Sequence, residues 1–287
     1  MTFSWKKWLD GDRGLNIAGL MMAVATFIVI GLVFLVWSEM QTWSGTKREA
    51  RHVLALAQRS AFRAALAYGR EGDSLAEKGD YLGTLLQYRE ALRIEPMVPS
   101  VHNNLGSLLS KMGKLDEAIE QFEEELKIDP KADYAEINVG NILAKLGKLS
   151  EAASRYQAAL KIDPKNPAAH QKLGYVLAKQ GRLDDAIAQY REALKLNSTD
   201  ARAHFELGNI LAGRNNFSQA AEHYGSALQI DPDFSEAHLS LGILLAGQGQ
   251  LAPAIVHFRA ALRTRPQFAE AQQHLERALA LQGSRQK

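Results

Sequence analysis

A chain of 287 residues with a formal net charge of +2 has no bulk electrostatic attraction to nucleic acid. It contains no cysteine, which excludes disulfides, thiolate metal sites and cysteine nucleophiles and suits a reducing or an oxidising compartment equally well.

In chain order, a short tail at 1–16 precedes residues 17–37, which run for 21 residues without a charge. At 1.5 Å rise per residue, a run of that length reaches across a hydrocarbon core of about 30 Å, so a transmembrane helix is expected there. Trp5, Trp8, Trp37 and Trp43 flank it as interface anchors. Gly19, Ala23 and Thr26 fall on one small-residue face, where another transmembrane helix can pack. A cleaved signal peptide fits less well, because its apolar region is shorter and ends in a small-x-small site. The expected localisation is a single-pass protein of a bacterial inner membrane, N-terminus in the cytoplasm and the rest periplasmic. The alternative places the rest in the cytoplasm, because residues 47–70 carry six basic side chains against Glu49. Residues 38–64 are expected to form a basic juxtamembrane helical linker.

From residue 65 onward one frame of 34 residues recurs. Pro96, Pro130, Pro164, Ser198, Pro232 and Pro266 share one position, and Gly72, Gly106, Gly140, Gly174, Gly208 and Gly242 share another. Ala118, Ala152, Ala186, Ala220 and Ala254 are each followed four residues on by Phe122, Tyr156, Tyr190, Tyr224 or Phe258. A fixed period with such positional identity marks a repeat architecture. The frame gives a degenerate copy at 65–98, five full copies at 99–132, 133–166, 167–200, 201–234 and 235–268, and a closing helix and tail at 269–287. Leucines at i and i+4, such as Leu105 and Leu109, line one helix face. A mid-helix glycine costs about 1 kcal/mol against alanine, so Gly106 and its equivalents imply a close approach, for which Ala118 and Ala152 are the expected small partners. Gly113-Lys114-Leu115-Asp116 and its counterparts end one helix and cap the next. Asp129-Pro130 and Asp163-Pro164 close the second helix of each copy.

The unit resembles a tetratricopeptide repeat: His102-x2-Leu105-Gly106-x2-Leu109, then Ala118-x3-Phe122 and Pro130, follow that family's pattern. The resemblance implies an all-α fold, a right-handed superhelical solenoid of helical hairpins, preceded here by the transmembrane helix. It also implies that the first helices line a groove for extended peptides. By position, that groove would present Asn103, Asn104, Lys111, Asn138, Asn141, Lys145, Lys172, Tyr175, Lys179, Arg202 and Asn209, with Phe205, Leu239 and Ile243 making its last two copies more apolar. Asparagine amides both donate to and accept from a peptide backbone, and Lys111, Lys145 and Lys179 would form a basic rail for an acidic segment. The family's carboxylate-clamp set is not reproduced.

His102, His170, His204 and His238 share one frame position, with Glu136 in the remaining full copy. A metal ladder along them fails on distance, since neighbouring helix axes lie about 8–10 Å apart, so packing is the expected role. With no nucleophile elbow or phosphate loop and only about sixty residues at the N-terminus before the repeats, the chain is expected to be no enzyme and to hold no cofactor, metal, nucleic acid or small-molecule substrate. The function expected is a membrane-anchored adaptor that holds a peptide or protein partner during assembly or maturation of a membrane or envelope complex. The alternatives are a permanent structural subunit of a membrane complex and a self-assembling homo-oligomeric scaffold.

Overall fold

The computed structural model describes residues 27–37 and 47–285, and every regular element among them is an α-helix. They divide into two compact units, one ending at Ile128 and the other beginning at Asp129.

The first unit holds a helical stretch at 27–37, then α1 (Lys47–Glu77), α2 (Tyr81–Ile94), α3 (Val101–Lys111) and α4 (Leu115–Ile128). From Lys47 on, the expected linker and the first helix of the degenerate repeat are one continuous helix, α1, which pairs with α2. In the second unit, α5 (Asp133–Lys145) and α6 (Leu149–Ile162), α7 (Pro167–Lys179) and α8 (Leu183–Leu196), α9 (Ala201–Gly213) and α10 (Phe217–Ile230), and α11 (Ser235–Gly247) and α12 (Leu251–Thr264) are four hairpins. The last element, α13 (Ala269–Arg285), closes the stack. It buries Ala271 and Ala278 against Phe258, Ala261 and Ile255.

The membrane placement is overturned. No helix among the described residues is long and apolar enough to cross a membrane. The described part of the expected span, 27–37, covers only about 16 Å as a helix, and the 31-residue α1 is studded with charge. The two orientations, the bilayer as a partner and the helix-packing role fall with it. Residues 17–26, with Gly19, Ala23 and Thr26, lie outside the described residues, as do Trp5, Trp8 and Trp43. Trp37 is described, 62% exposed, with its ring 6.3 Å from that of Phe34.

The turns follow the frame closely. Gly79, Gly113, Gly147, Gly181 and Gly249 all have φ between 76° and 79°, and Asn215 takes the same left-handed conformation at 62°. Glycine enters that region without a Cβ penalty, and asparagine is the side chain that follows it most readily. At Gly147 the two bonds of a Schellman motif are in place, Gly147 N–H donating to the Ala144 carbonyl at 3.0 Å and Lys148 N–H to that of Leu143 at 2.9 Å. The expected side-chain caps on the second helices are absent: Lys148 and Arg182 hold the cap positions without a side-chain bond, and Asp184 and Asp185 lie in the first turn instead, where they oppose the positive end of the helix dipole. Side-chain caps are found on two first helices, where Asn166 accepts from Ala169 N–H at 3.0 Å and Asp200 from Ala203 N–H at 2.9 Å, and on α2 of the degenerate copy, where Asp80 accepts from Gly83 N–H at 2.9 Å.

The mid-helix glycines face aromatic rings rather than the small alanines. A Cβ on Gly106 would stand 2.9 Å from Phe122, one on Gly140 2.6 Å from Tyr156, and one on Gly208 2.7 Å from Tyr224. These rings, nearly devoid of solvent contact, are the centre of each hairpin, and Ala118, Ala152 and Ala186 are fully buried around them.

Candidate functional site

Each ring's choice of Tyr or Phe follows the residue after the glycine. Tyr156 donates its hydroxyl to Asn141 Oδ1 at 2.9 Å and Tyr224 to Asn209 Oδ1 at 2.9 Å. In the first unit, Tyr88 donates to Asp73 Oδ1 at 2.7 Å. Phe122 and Phe258 occur where that residue is Ser107 or Ile243. The exception is Tyr190, whose equivalent residue is Tyr175: its buried hydroxyl has no hydrogen-bond partner among the described residues. Burial first, then the nearby Glu206 carboxylate, pushes its pKa well up, so it remains a neutral donor.

This accounting changes the expected groove. Asn141 and Asn209 already accept from tyrosines, and Asn209 Nδ2 donates to Glu206 at 3.5 Å. Asn104 donates to Asp73 at 2.9 Å and Asn103 to Asn104 at 3.2 Å. Asn138 is half-buried. Arg202 pairs with Glu206 at 2.7 Å and lies over the Phe205 ring. Phe205 itself is only 7% exposed, because it packs 4.9 Å from the Phe234 ring and 6.0 Å from that of Tyr224. Leu239, 5% exposed, is likewise core.

Lys145 and Lys179 are exposed and are the last residues of α5 and α7, as Lys111 is of α3 in the first unit. An ammonium there is favoured by the helix dipole, which is a structural role available to all three. Lys179 also stands 5.6 Å from the Tyr175 ring, and Lys172 is half-buried. In α9 and α11 the equivalent last residues are Gly213 and Gly247, and a Cβ at either would meet nothing within 4 Å. Beside Gly247 the second unit opens a cavity of about 540 Å³, lined by Ala212 of α9, Phe217 and Tyr224 of α10, and Ser240, Ile243 and Leu244 of α11. Phe217 is 45% and Ile243 37% exposed. Along α5, α7, α9 and α11 the last residues thus pass from lysines to glycines, the last of them beside the open apolar cleft.

The shared histidines are not a ladder. Each bonds locally, Nε2 donating to the main-chain carbonyl six residues before it, at the end of the preceding repeat. Nδ1 turns to the side chain nineteen residues on: Gln121 for His102, Gln189 for His170, His223 for His204 and His257 for His238. Glu136 makes the corresponding contact with Arg155, an ion pair at 3.3 Å. Among the described residues no three histidine, aspartate or glutamate side chains cluster as a metal site.

Comparison with known proteins bears on the fold. Profiles of the TPR repeat match residues 72–113, 140–181, 174–213 and 208–249, and a tetratricopeptide repeat profile matches 99–132. No curated protein matches the sequence. Among solved structures, pilF of Pseudomonas aeruginosa is 20% identical with a TM-score of 0.66, over 75% of this chain and 97% of that one. PilW, described as a type IV pilus biogenesis factor, is 19% identical with a TM-score of 0.64, over 74% and 98%. YrrB, described as a TPR protein with an unusual peptide-binding site, is 23% identical with a TM-score of 0.53, over 65% and 96%. With the profiles covering more than half of the chain, it belongs to the tetratricopeptide repeat family.

Proposed function

We propose that the chain is a non-catalytic interaction scaffold that holds an extended segment of a partner protein along the first helices of its second unit. The observation that carries this reading is the open cleft beside Gly247, where Phe217 and Ile243 remain exposed in a cavity of about 540 Å³. Apolar side chains gathered around a concavity with a few polar groups are the usual make-up of a recognition site. Lys145 and Lys179 add positive charge on the helices that precede it, so the reading extends to a segment carrying acidic residues as well as a bulky apolar side chain. The peptide-binding site of YrrB, on the same fold, supports the reading by analogy. Service in the assembly of a larger complex is its finer form, which the likeness to PilW, a type IV pilus biogenesis factor, supports by analogy alone.

The test is a random-peptide display selection on the full chain, followed by affinity measurements with the selected peptides. Replacing Ile243 by Asp is expected to weaken binding by about tenfold or more, the loss of about 1.4 kcal/mol, with helical content unchanged by circular dichroism. Undiminished binding by that variant would move the site off this cleft.

A further inference from the structure

The last two full repeats differ from the others at the contact that joins the outer turns of their helices. Elsewhere that contact is His102 with Gln121, His170 with Gln189, or the ion pair of Glu136 with Arg155. In the repeats at 201–234 and 235–268 it is histidine on histidine. His204 Nδ1 lies 3.0 Å from His223 Nδ1, and His238 Nδ1 lies 3.0 Å from His257 Nδ1. The geometry is the same twice, with ring centroids 5.2 Å apart and planes crossing at 39° and 38°.

The first histidine of each dyad is fixed by its other nitrogen. His204 Nε2 donates to the Ser198 carbonyl at 3.3 Å, and His238 Nε2 to that of Pro232 at 3.0 Å. An imidazole that donates one N–H to a carbonyl carries its lone pair on the remaining nitrogen, the tautomer and orientation found in metal-ligating histidines. The second histidine must therefore supply the proton that lies between the two Nδ1 atoms. All four residues are half-buried rather than enclosed.

We propose that each dyad is a binding site for a divalent transition-metal cation, copper(II) before nickel(II) and zinc. Capture of the ion breaks the N–H bond between the two nitrogens, releases that proton to water, and leaves both Nδ1 lone pairs on the metal. With metal–nitrogen bonds of about 2.0–2.1 Å, ligands in adjacent tetragonal positions stand about 2.9 Å apart, whereas a tetrahedral ion spreads them to about 3.3–3.4 Å. The observed 3.0 Å is the hydrogen bond between the two rings, close enough that a turn of one ring brings both lone pairs to a single ion, and copper(II) is placed first because it binds nitrogen ligands more tightly than nickel(II) or zinc. The rings now meet head-on along their hydrogen bond, so His223 and His257, which lack the carbonyl anchor, are the ones that swing to bring both lone pairs onto one point. Water completes the coordination.

The protein contains its own control, because His223→Gln and His257→Gln recreate the histidine–glutamine contacts of the repeats at 99–132 and 167–200. Copper(II) chloride titrated calorimetrically into the full chain at neutral pH is expected to bind at two equivalents, with nitrogen hyperfine structure in the electron paramagnetic resonance spectrum. In H223Q alone the stoichiometry should fall to one, and in H223Q/H257Q the tight class should disappear, together with the rise in melting temperature that bound metal produces in the parent. Thermal unfolding without metal checks that the variants fold. Failure of the parent to bind copper, or retention of two tight equivalents by H223Q/H257Q, would overturn the proposal.

Discussion

The hairpin at 167–200 and its neighbours at 133–166 and 201–234 are built on one frame, yet they differ at a single buried hydroxyl. Tyr156 and Tyr224 each reach an asparagine, while Tyr190 reaches none. The ring positions differ in step: a Cβ on Gly140 or Gly208 would stand 2.6 or 2.7 Å from its ring, but one on Gly174 would stand 3.1 Å away. The hydroxyl bond is not what draws the rings in, because Phe258 comes within 2.6 Å of the equivalent point on Gly242 without one. What sets the middle hairpin apart is Tyr175, the largest side chain found after any of these glycines. The middle hairpin therefore combines Tyr175, where its neighbours have an asparagine, with a slightly wider glycine–ring contact and an unpartnered donor at Tyr190.

The sharpest way to break this comparison is to fill the seam. Gly140→Ala should destabilise by up to about 2 kcal/mol, an overpacking cost of about 1–3 kcal/mol partly offset by the roughly 1 kcal/mol that alanine gains in a helix. Gly174→Ala, with its ring farther off, should come out neutral or slightly stabilising. Urea unfolding midpoints for the two variants measure this directly, and equal losses would show that the seams are equivalent. A smaller effect is expected from deleting hydroxyls. Tyr224→Phe should cost about 1 kcal/mol, whereas Tyr190→Phe should be neutral or stabilising, because an unsatisfied buried donor is removed. Comparable losses in thermal melts would mean that Tyr190 has a partner after all.

The gentlest probe is pH. His223 and His257 have folded pKa values below the ordinary one, so below about pH 6.5 the unfolded chain binds more protons than the folded one. Their contribution to stability is complete above that pH and declines as the pH falls through the window beneath it. H223Q/H257Q should flatten this decline in melting temperature between neutral and mildly acid pH, and an unchanged slope would assign it to other groups.

Much of this was legible in the sequence, and the misses have physical causes. The 34-residue frame gave the hairpins, the glycine turns and the closing prolines because backbone constraints are local and repeat with the residues that satisfy them. The tyrosine–asparagine pairs were also open to inspection, one residue past each glycine, but pairing them requires knowing that a second-helix ring crosses the first helix at that point. The dyads were missed for the same reason: His102, His170, His204 and His238 were compared along one position, while His223 and His257 lie across the hairpin. Phe205 was placed on the open face by position, and the structure buries it against Phe234, a side chain that belongs to the following turn. The apolar run at 17–37 pointed to a membrane span from hydropathy alone, and no described helix has the length and apolarity to form one.

The glycine-to-ring contact also sets a timescale. From Gly72 with Tyr88 to Gly242 with Phe258, it always joins residues sixteen apart, so every hairpin closes a loop of the same size at the same entropic cost. Contacts this local belong to the fast-folding class of topologies, and no hairpin has to wait for a distant partner. Folding can therefore start at whichever repeat collapses first and spread to its neighbours, and the seam at 167–200, with its looser ring, is where that spread should be slowest.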